Sequence, residues 1–351
     1  MRTALAALAA TVLSIGIVLG QATPPAPTGL LVGSGNFFSP IVSDLEKATA
    51  FYRDGLGFAV AGAPSEASNN APLRNMFGLP DAQLRWNVAR PAGMRGGVEI
   101  VEVKKVVSRP ATRNVQDPGA VSLVLAVRDV DALLARLLPL GATVVTTNGR
   151  PVDVTLLGAP AKAALVKTPD GHFLQLVQRP VNNAAAADPA AAVTEVRVRL
   201  TVENIERTLK LYRDGLGVRE QSPGTFGGAP AVMQMLGLTG GMFRQAITQV
   251  PTSGLFLQFI EFKDVERRTV RSDIQDPGST RIQLQVKDLD AAIKTVVGAG
   301  GRVVSSGEMP VQLPAGRGGS IRAAVVRDPD NLFLVLIEQA QPPSPPPPAA
   351  R

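Results

Sequence analysis

Apolar and polar positions along this chain switch between two periods. An extended run ending at Val42 gives way to Leu45, Ala48, Phe51 and Tyr52, the i, i+3, i+4 spacing of a helix with one buried face. Ser43 and Glu46 have capping-box spacing at its start, and Gly55 sits where a helix C-cap belongs. Strand-like segments follow at 58–63, 84–89 and 98–103. In the last, Val98 and Ile100 alternate with Glu99, although Val101 blurs which face points inward. The pattern predicts a strand–helix–strand–strand–strand unit.

The unit recurs. Tyr52-Arg53-Asp54-Gly55-Leu56-Gly57 returns as Tyr212-Arg213-Asp214-Gly215-Leu216-Gly217, 160 residues later. Gln116-Asp117-Pro118-Gly119 returns as Gln275-Asp276-Pro277-Gly278, and Met76-x-Gly78-Leu79 as Met235-x-Gly237-Leu238, each 159 residues later. Each half is doubled again: Val42-Ser43-Asp44-Leu45 resembles Val127-Arg128-Asp129-Val130, and Val202-Glu203-Asn204-Ile205 resembles Val286-Lys287-Asp288-Leu289. The expected organisation is α+β, four βαβββ modules in two homologous domains at 30–180 and 193–340. An Ala-rich linker at 181–192 separates them, and a Pro-rich tail at 341–351 follows.

The N-terminus has Arg2, an apolar stretch from Ala4 to Gly20, and small residues at Gly20 and Ala22, the layout of a secretory signal peptide over 1–22. The stretch is shorter than the roughly 20 residues that span a bilayer, so export to the periplasm or medium is expected rather than stable membrane insertion. The formal charge of +7 is spread along the chain without a basic block, which argues against nucleic-acid binding. The chain has no Cys and one His, which excludes disulfides, thiolate chemistry and any site needing two imidazoles.

The paired helix starts, Phe51-Tyr52-Arg53-Asp54-Gly55-Leu56-Gly57-Phe58, and the closing Thr168-Pro169-Asp170-Gly171-His172-Phe173-Leu174-Gln175-Leu176 resemble the vicinal oxygen chelate superfamily of glyoxalases, bleomycin-resistance proteins and extradiol dioxygenases. That resemblance implies two glyoxalase-like domains, each with a cleft in which active members bind a divalent metal through His and Glu. Carried over by position, the family's ligand sites fall on Phe37, Glu99, Ser122 and Gln175 in the first half, and on Arg197, Gln258, Arg281 and Val335 in the second. Only Glu99 is an ionisable ligand of the family's type, so no metal or other cofactor is expected. His172 matches no ligand position and reads as a turn or rim residue.

Three functions remain. One is a small-molecule-binding protein with Phe37, Glu99, Ser122, Gln175, Arg197, Gln258 and Arg281 around its clefts, where two arginines and a Gln would grip a carboxylate or phosphate. The bland alternative pairs the arginines with strand neighbours such as Glu195. The second is a metal-independent lyase or isomerase with Glu99 as base beside Phe37 and Trp86; the bland alternative is a Glu99 whose strand position faces solvent, with Glu102 three residues on as its equally plausible twin. The third is an interaction module without a ligand. Converging Glu99 and Gln175 in an open cleft would favour the first two, and a cleft plugged by Phe37 or by residues 64–82 the third. The two halves are expected to form an internal pseudo-dimer, leaving the chain a monomer.

Overall fold

Four helices begin on one side-chain device. The computed structural model describes residues 26–179, 190–314 and 319–339. In it Asp44, Asp129, Asn204 and Asp288 stand at N-caps and accept hydrogen bonds from the backbone N–H groups of Lys47, Ala132, Arg207 and Ala291. The first cap thus falls one residue after Ser43, because the short Asp side chain already satisfies the orphan donor. Gly55 does not end the helix either. α1 (Leu45–Ala50) runs into a π-helical turn (Phe51–Gly55), and the left-handed residue is Gly57 at φ +74°. A Cβ on Gly55 would lie 2.7 Å from Leu137 Cδ2, so the bare backbone lets this turn pack on α3 (Val130–Leu137). In the second half, the turn after α4 (Ile205–Leu209) packs likewise on α6 (Leu289–Gly298), with Gly215 against Thr295.

Each cap follows the strand that opens a module. Module one holds β2 (Ser39–Val42), β3 (Ala59–Val60), β4 (Gln83–Arg90) and β5 (Val98–Lys104). Module two holds β6 (Val121–Val127), β7 (Thr143–Val144), β8 (Val152–Leu156), β9 (Ala159–Lys167) and β10 (Phe173–Gln178). Module three holds β11 (Val193–Thr201), β12 (Arg219–Pro223), β13 (Met242–Gln249) and β14 (Phe256–Lys263). Module four holds β15 (Thr280–Val286), β16 (Arg302–Val303), β17 (Val311–Pro314), β18 (Ser320–Arg327) and β19 (Phe333–Gln339). In every module the opening strand runs parallel to the last. The segment expected at 58–63 shortens to the two residues of β3.

The sheets join modules from opposite halves of the chain. β6 runs antiparallel to β11 with Ser122 opposite Arg199, and β2 runs antiparallel to β15 with Ser39 opposite Arg281. An added strand, β1 (Leu31–Ser34), extends along β15. Modules two and three therefore share one sheet and modules one and four the other. The capped helices pack within a half, whereas the strand pairs that join modules cross between halves, as do the short helices Ala71–Met76 and Pro230–Met235, which pack on β17 and β8, and the largest core cluster draws on all four modules.

The repeated Gln-Asp-Pro-Gly motifs are reciprocal ties across this arrangement. Asp117 Oδ1 accepts from Arg268 N and Asp276 Oδ1 from Arg109 N, while Gln116 donates to Glu266 O and Gln275 to Val107 O. Their recurrence has a structural cause, the same crossing made twice. The expected signal segment and Pro-rich tail lie outside the described residues, as does most of the linker. No helix among the described residues is long and apolar enough to cross a membrane.

Candidate functional site

Strand alternation decides which residues reach a cleft. On β11, Val196, Val198 and Leu200 enter the core beneath the helices, and Glu195, Arg197 and Arg199 take the other face. On β10 and β14 the same rule delivers Gln175 and Gln258 to that face. On β5 it separates the two candidate glutamates. Glu99 shares its face with Val101, whereas Glu102 points the opposite way and is buried in ion pairs with Arg85 and Lys104, each at 3.1 Å.

Because the sheets cross between halves, the carried-over positions regroup. Glu99, Arg281 and Val335 belong to the sheet of β2 and β15, and Ser122, Gln175, Arg197 and Gln258 to the sheet of β6 and β11. Glu99 and Gln175 do not converge, and neither do Arg197 and Arg281. Phe37 is buried within the main core cluster and does not line the open cleft described below. The residue that sequence counting missed is Arg199, two positions beyond Arg197 on the same face. The row Glu195, Arg197, Arg199, Thr201, alternating with valines and Leu200, was the signal for it.

The inner part of the β2–β15 cleft is filled and its charge opposed internally, although Arg281 Nε and Nη1 lack partners among the described residues, and farther along the same face Gln283, Gln285, Ile321 and Ile337 line a space open to solvent. Arg281 has no exposed surface, and Phe77 lies over its guanidinium at 4.2 Å. Its Nη2 donates to Glu99 Oε2 at 3.5 Å, an oxygen that also accepts from Gln283 Nε2 at 2.8 Å and Ser39 Oγ at 3.2 Å. Burial pushes the Arg281 pKa down to about 10, against the opposing charge of Glu99. Phe77 follows α2 (Ala71–Met76) and forms one apolar cluster with Met76, Trp86, Val101, Phe333 and Val335. Ser305 pins this loop, donating from Oγ to Met76 O at 2.7 Å and accepting from Val325 N. Residues 64–82 thus plug the inner part of this cleft, as the sequence allowed for an interaction module.

The β6–β11 cleft uses the same scaffold and stays open. Thr146 Oγ1 donates to Met235 O at 2.8 Å and accepts from Leu165 N at 2.7 Å, repeating the Ser305 device. Gly237, at φ +74°, faces Val145 O so closely that a Cβ would stand 2.5 Å from it. The position of Phe77 is taken here by Leu236. Leu156, Val177, Met235, Leu236, Phe243 and Ile260 wall a cleft that opens to solvent, about 750 Å³ with the open solvent at its mouth included.

The polar groups of this cleft are mainly donors. Arg199 is 5 % exposed and donates from Nη1 to Gln175 Oε1, and from Nε and Nη2 to Gln258 Oε1 at 3.3 Å. Gln258 Nε2 donates in turn to Gln245 Oε1. Burial, with the charge of Arg197 beside it, pushes the Arg199 pKa down to about 10. Arg197 is engaged by Glu195 at 2.5 Å and lies 5.1 Å from the Phe256 ring centre, so the strand-neighbour pairing considered for it is present. Gln175 Nε2 and Ser122 Oγ are buried without a partner.

His172 lies in its turn, as expected, but is buried rather than on a rim, beside a small space between the two halves and not in the β6–β11 cleft. It is buried in its turn against Ser279 O at 3.2 Å and Thr168 Oγ1 at 3.3 Å, edge-on to Phe38, with burial lowering its pKa. The expectation of a turn or rim residue missed that the turn is covered by the opposite half. Among the described residues, no three His, Cys, Asp or Glu side chains are grouped so as to hold a metal ion.

Residues 36–176 match the family model described as the Glyoxalase/Bleomycin resistance protein/Dioxygenase superfamily. Glyoxalase I from Zea mays superposes with a TM-score of 0.53 at 16 % identity, over 88 % of this chain and 92 % of that one. A putative dioxygenase from Bacillus subtilis gives 0.52 at 14 % identity, over 89 % and 87 %. At these identities the likeness concerns the fold. No curated protein matches the chain.

Proposed function

The chain is a member of the Glyoxalase/Bleomycin resistance protein/Dioxygenase superfamily through residues 36–176, and from that premise we propose that it is a small-molecule-binding protein whose site is the β6–β11 cleft. The observation that carries the reading is the contrast between two clefts built on one scaffold. One is plugged over its arginine by Phe77 and opens only farther out, beside Gln283, Gln285 and Ile337, whereas the other, with Leu236 at that position, keeps an apolar-walled space at its buried arginine.

The residues do not fit the divalent metal of the family's active members. In the β2–β15 cleft the single carboxylate already accepts from three donors, and a buried arginine stands where a cation would sit. The β6–β11 cleft offers amide oxygens beside Arg199. A proton-abstracting role for Glu99 has no support from its surroundings either, because its Oε2 is engaged by Ser39, Gln283 and Arg281. The apolar N-terminal stretch and the lack of cysteine support binding after export, by a monomer whose paired sheets are completed within one chain.

The test is a thermal-shift screen with aromatic acids, phosphonates, metal-chelated antibiotics and neutral analogues, run on the wild type and on Ala126→Trp, which fills the cleft from β6. Stabilisation by at least one class, lost in Ala126→Trp, is expected, since a ligand at a hundred times its Kd adds about 2.7 kcal/mol. No stabilisation by any class, or stabilisation that survives the filled cleft, contradicts the proposal.

A further inference from the structure

From the donor balance of the β6–β11 cleft we infer that its ligand is an organic anion, a carboxylate on an apolar body, anchored by Arg199 and Gln175. The inference rests on the small-molecule reading of this cleft and narrows it to one class of chemistry.

Three guanidinium groups, Arg179, Arg197 and Arg199, line the cleft against one carboxylate, Glu195, and that carboxylate is engaged by Arg197. No carboxylate lies within ion-pair distance of Arg199, whose three hydrogen bonds end on neutral amide oxygens. A buried cation held only by neutral dipoles is an uncompensated charge. Gln175, with no exposed surface, has its Nε2 donor unpartnered in the same place, and the buried Ser122 hydroxyl, across the strand pair from Arg199, lacks a partner too. Arg179 Nε is likewise unpartnered. These open valences are N–H and O–H groups, and a ligand that satisfies them brings acceptors and negative charge. The walls of Leu156, Val177, Met235, Leu236, Phe243 and Ile260 set the rest of the molecule as apolar.

The other cleft provides an internal control. There the strand pair is reversed, with Arg281 on β15 facing Ser39, and Glu99 occupies the place that Gln258 takes here. One copy of the repeat opposes the charge of its buried arginine with its own carboxylate, while Arg281 Nε and Nη1 stay unpartnered, so the contrast between the copies is one of charge. The other has exchanged that carboxylate for an amide and removed the aromatic plug, leaving the arginine to a partner from solution.

The test is calorimetric titration of the full chain, in low-chloride buffer, with 4-phenylbutanoate, 4-phenylbutan-1-ol and 4-phenylbutylamine, repeated on Arg199→Gln and Ala126→Trp. The carboxylate should bind the wild type at least tenfold more tightly than the alcohol, with no measurable binding of the amine. Arg199→Gln should lose about ten- to a hundredfold in carboxylate affinity, the range of a charge-assisted hydrogen bond, and the alcohol much less, so that the carboxylate-to-alcohol ratio falls toward one. Equal binding of alcohol and carboxylate, both lost in Ala126→Trp, would overturn the anion assignment and leave the small-molecule reading standing. Carboxylate binding undiminished in Arg199→Gln would place the anchor elsewhere. If none of the three binds, the anion assignment fails for this class, and the broader screen alone decides the cleft's use. The ratio of carboxylate to alcohol on the wild type needs no variant, so a folding defect in Arg199→Gln leaves the inference open to refutation.

Discussion

Replacing Glu99 by Gln would remove the one carboxylate that faces Arg281 among the described residues while keeping an oxygen for Ser39 and Gln283. The arginine has no exposed surface, and its Nη2 is 3.5 Å from Glu99 Oε2. Unit charges at that separation attract by about 5 kcal/mol at an effective dielectric constant of 20. Glu99 keeps 24 % of its side-chain area in solvent and shares its charge with two other donors, which lowers the net coupling. Stranding a buried arginine in this way should cost about 2–3 kcal/mol, below the full range for a wholly buried pair. Arg281→Met alone leaves a partly solvated glutamate and should cost about 1 kcal/mol, and the double variant should recover most of the loss because both charges are gone. Urea unfolding of the four proteins, with matched m-values, gives the coupling directly. Additivity within about 0.5 kcal/mol would refute the claim that this pair neutralises the plugged cleft.

Thr146→Val should destabilise by about 1–3 kcal/mol, because Met235 O and Leu165 N lose a buried partner, and it should weaken ligand binding by loosening the Met235 wall; unchanged unfolding and affinity would contradict the role given to this bridge. Asp328 accepts from Tyr212 Oη at 2.8 Å, and burial, reinforced by Asp330, pushes its pKa up to about 7. Between about pH 4 and 7 the unfolded chain has released this proton and the folded chain holds it, so stability falls as pH rises through that window. Asp328→Asn should flatten that fall, read from denaturation midpoints at pH 5 and pH 8, and an identical pH dependence in both proteins would contradict it.

The modules were legible because their caps and left-handed turns are local. An Asp or Asn three residues before a free N–H and a Gly after a helical turn do the same work wherever they stand. Module pairing was not legible, since repeats about 160 residues apart are equally consistent with sheets closed inside a half or across halves. Contacts between distant loops decide it, such as Thr146 holding Met235 and Ser305 holding Met76. The site suffered accordingly. Counting back from the cap at Asn204 reached Arg197, on the correct face but near the mouth, and stopped one alternation short of Arg199. Nothing local distinguishes Phe77 as a plug from Leu236 as a wall, because the difference is the space each leaves beneath a loop placed by tertiary contacts.

The proposal places a small molecule in the β6–β11 cleft and none beside Arg281 in the β2–β15 cleft. A crystal structure of the protein grown with 4-phenylbutanoate tests it most directly. Ligand density is expected between β6 and β11, with a carboxylate oxygen in hydrogen-bond reach of Arg199 and of Gln175 Nε2, and Phe77 unmoved over Arg281. Density in the β2–β15 cleft with Phe77 displaced, or an empty β6–β11 cleft at saturating ligand, would contradict it.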